Sequence, residues 1–151
     1  MSQRNPIRVY VTHVWQENDD YMRVFEYLES ARNFYYANLS TPDHPPAKSG
    51  NEDLREDLRR QIGRAEVIVA LLSLAGTHRD LFTFQLNFAK ATDKPVVLLP
   101  GFGRDLPLPK DIAALVDETV GWDERSLVDA IRRQARHEDT TRWDTIEFKM
   151  D

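Results

Sequence analysis

The sequence predicts an α/β domain: a doubly wound, five-stranded parallel sheet in the order 2-1-3-4-5, covered by helices on both faces. Three observations point there. Two short runs, Val67-Ile68-Val69-Ala70-Leu71-Leu72 and Pro95-Val96-Val97-Leu98-Leu99, are strongly apolar and rich in β-branched residues, the composition of strands buried on both faces. Helical repeats alternate with strand candidates along the chain, and such alternation argues for a parallel sheet. Right-handed crossovers then leave few topologies, of which 2-1-3-4-5 is the usual five-stranded solution.

Each element has its own signal. Ile7 to Thr12 (Ile-Arg-Val-Tyr-Val-Thr) reads as a first strand, more amphipathic than the two apolar runs. Tyr21, Val24, Phe25 and Leu28 follow the i, i+3, i+4, i+7 spacing of one buried helical face. Asn18, Asp19 or Asp20 can start that helix, because their side-chain oxygens accept from free backbone N–H groups. Phe34-Tyr35-Tyr36 is expected as a short second strand near an edge. Leu54, Leu58 and Ile62 repeat every four residues in the next helix, where Ser49 and Glu52 have capping-box spacing. Its charges suit the helix dipole, with Glu52 and Asp53 first and Arg59, Arg60 and Arg64 last.

Asp80 is expected to cap a third helix with Leu81, Phe84 and Phe88 on its apolar side. A shorter fourth helix is expected from Pro109 to Val116. Glu118-Thr119-Val120-Gly121-Trp122 reads as a fifth strand. Leu127, Val128 and Ile131 mark a last helix from about Asp123 to Arg136, on which Arg132, Arg133 and Arg136 read as a solvated face. His137 to Asp151 is polar, ending in an amphipathic stretch with Trp143, Ile146 and Phe148. That tail reads as a packed segment, an extra strand or an interaction segment. The organisation expected is one domain over residues 1–151, with a core at 7–136 and the tail at 137–151.

Composition narrows the chemistry. At 151 residues the chain is long enough to hold a core without metals or disulfides. It has no Cys, which excludes disulfides, thiolate catalysis and Cys-ligated zinc and suits a cytoplasmic protein. The first residues, Met1-Ser2-Gln3-Arg4-Asn5-Pro6, hold no apolar signal-peptide core. The run Val67–Leu72 is far short of the roughly 20 residues that span a bilayer, so no membrane partner is expected. A net charge of −5 argues against a nucleic-acid backbone as the main ligand. The four His residues have no spacing that suggests a metal site. Gly101-Phe102-Gly103 lacks the full dinucleotide fingerprint and follows the fourth strand.

In this topology the ligand crevice lies beyond the carboxyl ends of strands one and three, where the winding reverses. Thr12, His13, Ser73, Leu74, Ala75 and Gly76 are therefore expected near it. The loop from Leu39 to Gly50, stiffened by three prolines, follows strand two and emerges on the same side. Each candidate has a plainer reading beside the functional one. His13 suits a ligand contact or a half-buried loop position. Asn38 and Ser40 suit a ribose contact or turn chemistry. Ser73 suits a ligand contact or a strand exit. His78 and Asp80 suit a pocket wall, with Asp80 as helix N-cap the stronger reading. His44 suits a solvent-exposed loop.

Several segments, in this order, resemble one family: Val9-Tyr10-Val11-Thr12-His13-Val14-Trp15 with Asp19-Asp20-Tyr21, then Asn38-Leu39-Ser40-Thr41-Pro42, then Ala65-Glu66-Val67-Ile68-Val69-Ala70-Leu71-Leu72, then the helix before Lys94-Pro95-Val96-Val97, and Val120-Gly121-Trp122. Over residues 7–136 they look like the flavodoxin-like TIR-like domain of the NAD-consuming component of Thoeris antiphage systems, and less like TIR adaptors of animal innate immunity. The resemblance implies NAD as substrate and no prosthetic group. It implies an ADP-ribose-derived signal that reaches an effector protein by diffusion, with a phage-derived activator and self-association as further partners. Thr12, His13, Asn38, Ser40, Ser73, Gly76 and His78 would be the binding residues.

The resemblance also places a catalytic Glu one turn into the third helix, and this sequence has Gln85 there. The family's Trp position falls on Leu81, with Phe82 and Phe84 nearby. Cleaving the N-glycosidic bond passes through an oxocarbenium-like state that a carboxylate stabilises. An amide keeps the shape but not the charge, so this chain is expected to be weak or inactive. Gln85 reads as a substitution that silences the site, as the mark of a natural non-catalytic relative, or as an ordinary polar helix residue. A non-enzymatic interaction module is the alternative to the NAD enzyme, and a flavodoxin-like or nucleotide-processing domain of another family is a third.

Overall fold

Five parallel strands pair in the order β2-β1-β3-β4-β5 in the computed structural model, which describes residues 2–43 and 50–138. The strands are β1 (Ile7–Val11), β2 (Tyr36–Asn38), β3 (Val67–Leu71), β4 (Val96–Leu99) and β5 (Glu118–Thr119). The helices are α1 (Asp19–Ser30), α2 (Asn51–Gly63), α3 (Leu74–Thr77), α4 (Arg79–Ala91), α5 (Lys110–Ala113) and α6 (Glu124–Arg136). This is the doubly wound, flavodoxin-like arrangement predicted above, and TIR-like domains share its topology.

The central strands are buried along their whole length, as their apolar composition requires. Every residue of β3 and β4 is buried. They pair from Ile68 opposite Val96 to Leu71 opposite Leu99, and β1 joins β3 with Val9 opposite Val67. Helix α1 packs with α6, and α2 packs with α4.

Several boundaries differ from the sequence expectation. The second strand starts two residues later, at Tyr36, because Tyr36 is the residue opposite Ile7. Phe34 instead buries its ring in the core. The fifth strand pairs over two residues only, because Gly121 and Trp122 turn toward α6. Asn18 caps α1, its side chain accepting from the Tyr21 N–H at 3.0 Å. Asp80 does not cap α4. His78 holds that position, and Asp80 lies in the first turn.

The apolar face of α4 is also rotated. Phe82, Leu86 and Ala89 are fully buried with Gln85 between them, whereas Leu81, Phe84 and Phe88 are half-buried. The α6 arginines are not a solvated face. Arg136 grips Glu66 with Nε at 2.5 Å and Nη2 at 2.9 Å, and Arg133 reaches Glu118 at 2.5 Å. Arg132 donates to the Asn33 carbonyl at 3.0 Å. Ser49, His44 and residues 139–151 lie outside the described residues, so the Ser49–Glu52 capping box, the His44 reading and most of the tail do too.

Candidate functional site

At the carboxyl ends of β1 and β3 the two central chains part, and the first loop turns sharply. Thr12 continues β1 by donating its N–H to the Val69 carbonyl at 3.0 Å. Its hydroxyl accepts from the Leu71 N–H at 3.0 Å, so both polar groups serve the sheet. Three residues on, Trp15 has φ +56, a left-handed conformation costly for a bulky side chain. The Trp15 N–H donates back to His13 Nδ1 at 3.3 Å, and the two rings meet edge to face at 5.2 Å.

Under this turn lies Gln85, fully buried on α4. Its side-chain oxygen accepts from the Tyr10 hydroxyl at 2.5 Å and from the His13 N–H at 3.3 Å. Its nitrogen donates to the His13 carbonyl at 2.9 Å and to the Leu81 carbonyl at 3.2 Å. Two donors face one end of the amide and two acceptors face the other. The flipped amide would aim N–H groups at the His13 N–H and its oxygen at two carbonyls, so the network fixes the orientation. Burial pushes the Tyr10 phenol well above its ordinary value, which keeps it a neutral donor.

His13 extends the chain of bonds. Because Nδ1 accepts from Trp15, Nε2 carries the proton and donates to Gln61 Oε1 at 2.9 Å. The same Gln61 oxygen accepts from the Thr41 N–H at 3.0 Å, and Gln61 Nε2 donates to Asp57 at 2.8 Å. Burial lowers the His13 pKa, opposed by the Gln61 bond and by the Asp57 and Asp43 carboxylates. Thus α2, the strand-two exit and the strand-one exit meet on one buried imidazole.

Asn38 and Ser40 form a separate knot with Tyr21. Asn38 Oδ1 accepts from the Ser40 N–H at 2.9 Å and from the Ser40 hydroxyl, and its amide donates to the Tyr21 hydroxyl at 3.2 Å. Ser40 and Tyr21 share a 2.9 Å bond. Gly76 is exposed on α3, with open space where a Cβ would sit. His78 Nδ1 bonds the neighbouring Thr77 hydroxyl at 2.9 Å.

Beside these groups a cleft of about 520 Å³ opens, lined by Glu17, Asn18, Asp19, Asp20, Ser73, Thr77 and Arg104. These residues come from the loops and helix starts after β1, β3 and β4, which is where this topology places a ligand crevice. Of the eight residues singled out in the sequence only Ser73 lines it. Its hydroxyl is buried without a hydrogen-bond partner, as is the indole N–H of Trp15. Asp19 and Asp20 read as helix starters in the sequence. The readable signal was their position just past the first strand.

Another concavity, of about 470 Å³, lies at the amino ends of the strands, and its main charges are already joined as Arg8–Glu66 and Lys90–Asp117. It has no relation to the switch point, and the carboxyl-end cleft is the candidate site. Among the described residues no group of three or more His, Asp or Glu is placed to hold a metal ion, and no helix is long and apolar enough to cross a membrane. No family model matches the sequence, and no curated protein is significantly similar to it.

Proposed function

We propose that this chain is a TIR-like domain that takes NAD at its carboxyl-end crevice and turns it over weakly or not at all. It would be a relative of the NAD-consuming component of Thoeris antiphage defence, with an amide at the catalytic carboxylate position. The observation that carries this reading is the place of Gln85: buried on α4, directly against the exit of β1 at the switch point. The crevice chemistry supports it. Glu17 and Asp19 suit ribose hydroxyls and a cationic nicotinamide ring, Arg104 suits a phosphate, and Ser73 holds an unpaired hydroxyl.

Nicotinamide release needs negative charge beside the ribosyl carbon as positive charge develops there. The Gln85 amide supplies none. Losing one such preorganised group typically costs about 10²–10³ in rate. A Glu form would make an ADP-ribose-derived signal for a separate effector in the cytoplasm.

A second reading, a non-enzymatic assembly module, is favoured by one fact. All four hydrogen-bonding positions of Gln85 are used inside the protein. The test measures nicotinamide release from NAD by this chain and by Gln85→Glu at equal high concentration, with and without infected-cell lysate, alongside calorimetry with ADP-ribose. Binding by both and release only by the Glu form is the expected result. Binding by neither, with no release, establishes the assembly module. Release by the unaltered chain as fast as by Gln85→Glu overturns the assignment of position 85.

A further inference from the structure

The loop after β4 carries a ring that the nucleotide reading leaves without a role. Phe102 is 41% exposed, one of three large exposed apolar side chains among the described residues, with Met22 and Leu108. It is nonetheless held firmly. Arg23 lays its guanidinium over the ring, Cζ 3.7 Å from the centroid. Trp122 meets the ring edge to face at 5.6 Å, and its own indole N–H is fixed to the Pro100 carbonyl at 2.7 Å. Asp20 ties the stack to α1, accepting from Arg23 Nη1 at 3.2 Å and from the Phe102 N–H at 3.4 Å.

The same anchor belongs to the crevice, since Asp20 is one of its lining residues. So is Arg104, two residues beyond Phe102. The Arg104 N–H donates to the Gly101 carbonyl at 3.2 Å, closing a four-residue turn with Gly103 at φ +66 in its third position. A type II turn needs that conformation, and glycine supplies it without strain. One tight turn therefore sets a held, exposed ring two residues before Arg104, which lines the crevice.

We propose that Phe102 is a stacking platform for the purine ring of a nucleotide whose phosphate is held by Arg104. This rests on the nucleotide reading and fixes the direction of the ligand. The Arg23 cation, already against Phe102, repels a cationic pyridinium ring and tolerates a neutral purine. The adenine end of NAD then lies on the rim, and the nicotinamide end is left to the acidic part of the crevice beside Glu17 and Asp19. An exposed ring held between a guanidinium and the Trp122 indole, rather than a broad apolar face, suits a flat heterocycle better than a protein partner.

Calorimetry on the full chain tests this with ADP-ribose, AMP and ribose 5-phosphate. Ribose 5-phosphate should bind about tenfold more weakly than AMP, and Phe102→Ala should weaken AMP about tenfold while leaving ribose 5-phosphate unchanged. Phe102→Trp should restore AMP. Equal affinity for AMP and ribose 5-phosphate overturns the platform. So does unchanged AMP binding by Phe102→Ala, or an equal loss of both ligands, which would mean a damaged loop. If the unaltered chain binds ADP-ribose and Phe102→Ala binds it equally, the platform falls and the nucleotide reading stands. If the unaltered chain binds neither ADP-ribose nor AMP, both fall.

Discussion

The Tyr10 hydroxyl and the Gln85 side-chain oxygen are 2.5 Å apart in a fully buried contact between the first strand and the helix before the fourth. Tyr10→Phe removes the hydroxyl and leaves that oxygen with the longer His13 N–H bond alone. A net loss of about 1 kcal/mol is expected, lowering the thermal midpoint by about 2–4 °C in a chain of this size. Urea and thermal unfolding measure it. An unchanged midpoint would mean that the bond contributes nothing beyond the packing of the ring.

Gln85→Glu changes only one atom, yet the surroundings are complementary to an amide. The new oxygen would face the His13 and Leu81 carbonyls, which now accept at 2.9 and 3.2 Å. A proton on the acid relieves that repulsion, so its folded pKa should lie above the unfolded value of about 4.3. The folded state then holds more protons than the unfolded one, and stability relative to the unaltered chain should fall as pH rises through the interval between those two values. At pH 7 the deficit should reach about 2 kcal/mol. Paired urea titrations from pH 4 to 8 read it directly. A deficit that does not change with pH would show that the loop turns its carbonyls away and accepts a carboxylate.

Much of this fold was legible because it depends on local composition. The β-branched runs at Val67 and Val96 identified the central strands, and their order placed the crevice beyond Thr12 and Ser73. What was not legible depends on distant partners. Gln85 interrupts the buried face of α4, so hydropathy alone moved that face to Leu81, Phe84 and Phe88. Tyr10 and His13, more than seventy residues away, supply three of the four hydrogen bonds that make a buried amide stable there. Arg136 looked solvated for the same reason, since its carboxylate partner lies seventy residues earlier. Asp19, Asp20 and Arg104 reach the crevice through loop geometry that no sequence period encodes.

His13 should make the fold sensitive to mild acid. Its folded pKa is lowered, chiefly by burial, from an unfolded value of about 6.5. The unfolded chain therefore binds the proton more readily. The stability of the neutral form is present above about pH 6.5 and is lost as pH falls from there through the lower folded value. His13→Gln can keep a donor toward Gln61 without titrating. Unfolding midpoints between pH 5 and 8 should slope for the unaltered chain and flatten for the variant. Parallel slopes would assign the acid sensitivity to other groups.

Glu66 should lose stability in acid as His13 does, but over a lower pH range, and it joins three elements. Arg136, on the last turn of α6, holds its carboxylate through two nitrogens, and the Arg8 N–H of β1 adds a third bond at 2.9 Å. These bonds, with the Arg136 hydrogen bond the largest influence, hold the acid below the ordinary carboxylate range despite partial burial. The Arg8 guanidinium is half exposed at 3.4 Å and adds little. Glu66→Gln keeps the volume but removes the charge from a bidentate pair, at an expected loss of about 1.5–3 kcal/mol at pH 7. A depressed folded pKa gives stability that is present above the unfolded value of about 4.3 and is lost as pH falls through the lower folded one. The gap between the unaltered chain and Glu66→Gln should therefore be widest near neutrality and close toward pH 3 in urea titrations. A gap that persists unchanged into acid would mean that the glutamate acts through its shape and neutral hydrogen bonds, and that the docking of α6 against β1 and β3 does not depend on this ion pair.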